Sequence, residues 1–573
     1  MWSTTYMQTL LKTYRSFVVA LVLLALGQSF LSLWVPKIIS RAINSFVFGQ
    51  YEAVTVIWEF GFLAFGVLLF GSALVFAQSR VGERVARDLR NQLAASVAKQ
   101  NFLYVQEKTT SVLLTNFSSD IDAVKQFVAQ AIPTMLSSVF IILGAGAFLL
   151  SIHFRLGLAV LTIVPLIGFT MFVLFSRIRP LFTQSQKVID RLNAVINESI
   201  LGAALIRVLN AQALEYQRFV KSNSDALDTG MQILKMFAGL IPVITLIANS
   251  ASLIMVLLGG HYIIHGSMNV GDFAAFMNYV VILIFPIFML GFMSNMMARA
   301  AASYTRVAEV LNAPELPVGG QRVENFVGEV KVQDVSLTYG GKSILKDVSL
   351  TIKPGSKTAI IGPTAAGKTQ LVYLLAGLTL PSSGSITYDG VKNNDYDQAE
   401  LRQHLGIVFQ DSALFNLSLR QNISFGQELP QTDVDLAIAT AELTDFVAAL
   451  PEGLETMVSE RGTSLSGGQK QRVMLARALA AKPKILYLDD FTARVDVLTE
   501  KKILANIAKN YPDLTLVSVT QKVAAAEAYD QIVLLMEGEV LMTGTHSELL
   551  RKSPEYSQIV DSQRSTHAYE LPA

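Results

Sequence analysis

Six apolar runs crowd the first 300 residues of this chain, and they decide most of what it can fold into. A bilayer core takes about 20 apolar residues of helix. The runs lie at roughly 17–43, 54–79, 129–152, 156–177, 236–264 and 273–298. The first is too long for the apolar region of a secretory signal and shows no clear cleavage site. Only 16% of the 573 residues are charged and 51% are apolar, against about 25% charged in soluble domains. Mean hydropathy is +0.43. These averages hide a split, because the chain beyond the sixth run reads as a soluble domain. A formal net charge of +1 gives no sign of a nucleic-acid or acidic partner. The absence of cysteine excludes disulfides and thiolate metal sites.

The connections differ in charge. Lys12 and Arg15 precede the first run. Segment 80–128 carries Arg80, Arg84, Arg87, Arg90, Lys99 and Lys108, and segment 178–235 carries Arg179, Lys187, Arg191, Arg207, Arg218 and Lys221. The other connections are short and nearly free of Lys and Arg. The positive-inside rule then predicts a multi-pass protein with both termini and the two long connections in the cytoplasm. Leu89, Leu93, Val97 and Leu103, and later Val188, Leu192, Val195, Ile200, Leu205 and Val208, recur at near-helical spacing. They predict helices that continue the spans beyond the membrane, with surface-lying amphipathic helices as the alternative. Runs three and four, joined around His153 and Arg155, predict a hairpin.

The expected fold is therefore multidomain. An all-α membrane domain of six spans (1–312) is followed by a Pro- and Gly-bearing linker (313–324) and an α/β ATPase domain (325–573) with a largely parallel sheet. Within the last, the strand-like TAII leads into Gly362-Pro363-Thr364-Ala365-Ala366-Gly367-Lys368-Thr369, and a helical run follows. This is the strand–loop–helix setting of a phosphate loop. Its backbone N–H groups and helix N-terminus favour phosphate oxygens. Lys368 reaches the β- and γ-phosphates, and the Thr369 hydroxyl ligates Mg²⁺. Farther on, KPKILYLDD (482–490) reads as a strand ending in acids, with Asp489 placed to hold Mg²⁺.

Between these elements lies LSGGQKQR (465–472), which resembles the signature of ATP-binding cassette (ABC) transporters. Tyr339 stands where the family stacks an aromatic ring on adenine. Gln410 matches the glutamine that reaches toward Mg²⁺, and Asp496 matches the aspartate of the loop after the Mg²⁺-binding strand. GTHSELL (544–550) resembles the closing motif, and LGAALIRVLNAQALEYQRF (201–219) resembles a cytoplasmic helix of six-span exporters. The resemblance covers nearly the whole chain. It implies half of an ATP-driven exporter that moves an amphipathic, lipid-like, drug or peptide substrate out of the cytoplasm by alternating access. In such a head-to-tail dimer ATP is bound by Tyr339, residues 362–370 and Gln410 of one chain. The facing signature is Leu465, Ser466, Gly467, Gly468 and Gln469 of the other. Helices contacting the ATPase are expected near 105–113 and 210–219.

The sequence departs from that pattern at four positions. Asp490 stands where hydrolysing members carry glutamate, and Gln521 stands where they carry histidine. The shorter carboxylate falls short of a water that a general base must reach, and glutamine cannot carry positive charge. Ala365 replaces a glycine, although alanine resists positive φ, and Gln370 replaces a hydroxyl residue. The two catalytic changes beside an intact signature resemble the degenerate half of a heterodimeric bacterial exporter. Its own site would bind ATP and hydrolyse poorly, while its signature completes the site of a partner bearing Glu and His. The competing readings are a slow homodimeric flippase or drug exporter and a non-transporting ATP-binding regulator or channel subunit.

Three further groups have a structural and a functional reading. Glu59, near the outer end of the second span, either reaches water or meets a cationic substrate. Phe273, Phe276, Met277, Phe285, Phe288, Met289, Phe292 and Met293 of the sixth span either pack or form an adaptable apolar pocket. His261 and His265, four apart, lack a third ligand for a metal.

Overall fold

The computed structural model describes residues 12–570 except 51, 316–318, 412–413, 460–461 and 463. Its contacts divide the chain into two units, residues 1–98 with 109–313 and residues 99–108 with 314–573.

Among the described residues the first unit holds six helical rods long and apolar enough to cross a membrane: Arg15–Val47, Ala53–Lys99, Thr109–Ile152, Phe154–Leu201, Gln212–Ile264 and Val270–Leu311. The second runs unbroken from its apolar half through Arg80, Arg84, Arg87 and Arg90 to Lys99. The polar connections thus continue the spans as helix. Phe62, Phe65 and Leu68 of this rod are more than half exposed. A helix so apolar on its outside is suited to lipid. Inside, Val270–Leu311 buries Ala275, Phe276, Tyr279, Leu283 and Ile287. Its Tyr279 hydroxyl donates to the Leu33 carbonyl of the first rod at 2.8 Å. Spans three and four form a hairpin whose link is one extended residue, His153, which caps the next helix by accepting from Leu156 N at 3.3 Å. The turn is so tight that a Cβ on Gly157 would lie 2.9 Å from the Leu149 carbonyl oxygen. The third rod contains π-turns at Asn116–Asp120 and Phe127–Ala131. The first of them buries Asp120, which takes two guanidinium N–H groups of Arg306.

The segments 105–113 and 210–219, where contact helices are expected, are each interrupted rather than continuous. The first begins inside the helix Phe102–Glu107, capped by the Asn101 side chain and closed by Thr109 at φ 53°. In the second region a short helix, Ala203–Val208, ends before Asn210 at φ 52°, and a long helix starts at Gln212. Left-handed residues set the breaks, and spacing of apolar residues does not reveal them. Residues 99–108, assigned from sequence to the membrane domain, group with the ATPase unit. Phe102 explains this: its ring meets Tyr373 edge-on at 5.1 Å and stacks near Phe409 at 6.1 Å.

Among its described residues the second unit has ten strands: β1 (Val330–Tyr339), β2 (Lys342–Ile352), β3 (Lys357–Ile361), β4 (Ser383–Tyr388), β5 (Val391–Lys392), β6 (Leu405–Val408), β7 (Ile485–Asp489), β8 (Thr515–Val519), β9 (Gln531–Met536) and β10 (Glu539–Gly544). An antiparallel sheet runs in the order β2-β1-β4-β5, and a second sheet in the order β10-β9-β3-β8-β7-β6. In the latter every pair is parallel except β10 with β9. Strands β3, β7 and β8 are buried at nearly every position, as their unbroken apolar runs require. The parallel order aligns the carboxyl ends of β3, β8 and β7, where open α/β sheets bind ligands.

Candidate nucleotide site

A cavity of about 290 Å³ opens at those carboxyl ends, lined by Ile344, residues 364–370, Gln410, Asp489, Asp490, Val519 and Gln521. Three strands deliver its chemistry. From β3 the chain passes through the loop Gly362–Gly367 into the helix Lys368–Leu375. Gly362 is required by packing, since a Cβ there would lie 2.0 Å from the Leu535 carbonyl oxygen. Gly367 takes φ 96°, and Ala365 is held at φ 65°. The sequence-based objection to alanine at 365 thus meets a backbone that adopts positive φ nonetheless, at a cost of about 1–2 kcal/mol.

Lys368 is buried, and its Nζ donates to the Gly362 and Pro363 carbonyls at 2.8 and 2.7 Å. Burial lowers its pKa, opposed by the carboxylates of Asp490 and Asp489. The Thr369 hydroxyl donates to Asp489 Oδ1 at 3.0 Å. Asp489 Oδ2 is buried with no hydrogen-bond partner. Burial is the main cause that pushes the Asp489 pKa up to about 6; the Thr369 bond opposes it and Asp490 adds to it. An orphaned carboxylate oxygen beside a hydroxyl is a hard-oxygen set that suits Mg²⁺, and Gln410 lines the same cavity. Gln410 is fixed through its backbone, whose carbonyl accepts from the buried Gln471 side chain at 3.0 Å.

Asp490 follows β7 at φ 47°, with its N–H donating to the Val519 carbonyl at 3.2 Å. Gln521 follows β8 on the other side, and its carbonyl accepts from Gln563 at 2.6 Å. Gln370 also lines the cavity, with a buried Oε1 that has no partner. Pro363 lies in the loop, outside the lining. Ile344 and Val519 line the cavity without having been singled out from the sequence. Being ordinary strand residues, they carry no motif.

The signature residues lie outside this cavity. Ser466 caps the helix Gly467–Ala480 in a capping box: its hydroxyl accepts from Gln469 N at 3.3 Å, and the Gln469 side chain accepts from Ser466 N at 2.8 Å. Gly468 faces the Arg494 carbonyl, which a Cβ would meet at 2.8 Å. Leu465 packs on the core beneath. Asp496 caps the helix Val497–Asn510 by accepting from Thr499 N at 2.9 Å, and that bond holds its carboxyl below the usual range. Thr545 and Glu548 of the closing motif form another capping box. Tyr339 ends β1, paired with Lys342 of β2, two residues before Ile344 of the lining. Its hydroxyl donates to Glu107 at 2.8 Å and lies 3.1 Å from the Leu103 carbonyl.

In the first unit Glu59 is bound by Arg41 Nη1 at 2.8 and 3.1 Å. Phe276 and Met293 are buried, whereas Phe285 and Phe292 are exposed. The His261 and His265 rings lie 4.1 Å apart, and no metal-binding cluster occurs among the described residues.

The family model of the ABC transporter transmembrane region matches residues 18–287, and that of the ABC transporter domain matches 345–493. The chain is 31% identical to the uncharacterized ABC transporter ATP-binding protein YfiB of Bacillus subtilis (strain 168), over 96% of this chain and 97% of YfiB. It is 29% identical to the probable multidrug resistance ABC transporter ATP-binding/permease protein YheI of the same organism, over 97% and 96% respectively. The structure of a bacterial Atm1-family ABC exporter with ATP bound superposes with a TM-score of 0.78 at 25% identity, covering 96% of this chain and 98% of that one.

Proposed function

Given that the chain belongs to the ABC transporter family, with the membrane region and ATPase of a half-transporter fused in one polypeptide, we propose that it is the degenerate half of a heterodimeric exporter. Its own phosphate loop binds ATP and hydrolyses it poorly. Its signature serves the site of a partner chain that supplies glutamate and histidine. Both termini and the ATPase face the cytoplasm, consistent with the basic connections. The substrate is an amphipathic, lipid-like, drug or peptide molecule, in keeping with the apolar spans and with the multidrug resistance in the name of YheI.

The observation that carries this reading is the composition of one cavity. Thr369, Gln410 and Asp489 offer oxygens for Mg²⁺ while Asp490 and Gln521 take the catalytic positions. Lys368 and the loop N–H groups hold the phosphates by charge and hydrogen bonds. Mg²⁺ would be held by Thr369, Gln410 and Asp489 and would neutralise phosphate charge. Asp490 lies on the same wall but is one methylene short, and a misplacement near 1 Å costs on the order of 10²-fold. Gln521 can donate a hydrogen bond to a γ-phosphate but adds no positive charge. The capping box of Ser466 leaves the N–H groups of Gly467 and Gly468 at a helix start, a setting suited to a phosphate offered by a second chain.

The test is ATP binding and turnover by the purified chain, alone and with a partner half-transporter, as wild type and as Asp490→Glu with Gln521→His. Binding without turnover alone, and turnover with the partner that is lost in Ser466→Ala, supports the reading. Brisk turnover by the chain alone overturns it.

A further inference from the structure

The helix Phe102–Glu107 is seated at both ends on groups that flank the nucleotide cavity. At its start, the Phe102 N–H donates to the Leu378 carbonyl at 3.2 Å. The Phe102 ring packs on Tyr373 and on Phe409, the residue before Gln410. At its end, Glu107 accepts the hydroxyl of Tyr339 at 2.8 Å. The two ends therefore touch the neighbours of the Mg²⁺-facing glutamine and the aromatic ring assigned to the base. Tyr339 packs its half-buried ring against the core of the ATPase unit, and its hydroxyl is held between Glu107 and the Leu103 carbonyl. It ends β1 beside the Gly340-Gly341 turn, where both glycines take positive φ. Core packing holds the ring from one side, and the charge-assisted hydrogen bond to Glu107 fixes its outer tip. The raised phenol pKa, about 12, reflects burial first and this bond second.

Resting on the assignment of this cavity to ATP, we infer that Glu107 is a positioning residue. It holds the Tyr339 phenol as a preset platform for the nucleotide base and so ties base occupancy to the seating of Phe102–Glu107. The physical basis is preorganisation: a ring already fixed loses less freedom when a base stacks on it. Because linkage is reciprocal, a base on Tyr339 strengthens the seating of the helix by the factor that the helix lends to the base. The phosphates, held by Lys368 and the loop, gain nothing from Glu107.

The experiment compares binding of Mg·ATP and of Mg·tripolyphosphate, which lacks the base, to the full chain by calorimetry. Glu107→Gln keeps the shape of an exposed side chain and removes its charge. The expected result is ATP binding weakened about three- to tenfold, with tripolyphosphate changed less than twofold. Tyr339→Phe should do the same, and the double variant should lose no more than either single one. In hydrogen exchange, ATP should protect peptides over 102–107 in the wild type more than tripolyphosphate does. Equal weakening of both ligands by Glu107→Gln, or no weakening of ATP, overturns the inference and leaves the ATP assignment standing. A wild type that binds neither ligand overturns both.

Discussion

Asp489→Asn exposes the energetic cost of the site that Mg²⁺ would occupy. The carboxylate is fully buried, one oxygen accepts from Thr369 and the other has no partner. Burial raises its pKa from 3.8 to about 6. Such a rise corresponds to roughly 3 kcal/mol. The folded protein prefers the protonated acid. The favourable contribution is therefore complete below the unfolded pKa and is lost as pH rises through the folded one. Between pH 5 and pH 8 about 1.4 kcal/mol of that change takes place by the same linkage relation. Asparagine does not titrate, keeps an acceptor for Thr369 and introduces an unpartnered amide that costs about 1–3 kcal/mol at every pH. The gap in stability between variant and wild type should then move by about 1.4 kcal/mol across this range, in favour of the wild type as pH falls. In an ATPase domain of this size that is a shift of about 3–6 °C. Scanning calorimetry is the suitable assay, because the only tryptophans, Trp2, Trp34 and Trp58, precede the ATPase unit. Adding Mg·ATP should stabilise the wild type and not the variant. A gap that is independent of pH, or that moves the other way, refutes the argument from burial.

Ala365→Gly relieves a left-handed alanine and should raise the ATPase transition by about 1 kcal/mol in the same assay. Gly362→Ala drives a Cβ to 2.0 Å from the Leu535 oxygen and should abolish nucleotide binding, read by titration with a fluorescent ATP analogue. Ser466→Ala removes a helix cap worth about 1 kcal/mol, which calorimetry of the isolated chain should register without any partner present. Glu59→Ala and Arg41→Ala should be non-additive in thermal stability, because each removes the same ion pair.

What the sequence discloses here follows the range of the interaction. The loop 362–369 is readable because a phosphate site is built from consecutive N–H groups, and β3 and the following helix are signalled by their own residues. The six spans are readable because lipid demands apolar length. Ala365 was readable as an oddity, since its residue type conflicts with the backbone the loop requires. The seat of Phe102 was not readable, because Tyr373 and Phe409 lie hundreds of residues along the chain and none of the three is unusual in its own segment. Glu59 looked like a lone intramembrane acid, and only the packing of its helix beside Arg41 supplies the partner. The aromatic and Met residues of the sixth span share one composition, yet folding buries Phe276 and Met293 and exposes Phe285 and Phe292.

The segment 99–108 gives the ATPase unit a discontinuous sequence, with consequences for how the protein is made. During synthesis Leu103 leaves the ribosome 236 residues before Tyr339, a lag on the order of 10–50 s at the usual elongation rate. Through that interval Phe102 has no aromatic seat, and the nascent chain carries an apolar plug awaiting a socket that has yet to be translated. Fragments starting at Pro314 would present the opposite defect, a socket of Tyr373, Phe409 and the Tyr339 tip without its plug. Solubility and nucleotide affinity measured on such a fragment would describe a domain missing one of its own parts, and a peptide spanning 99–108 added in trans is the natural complement.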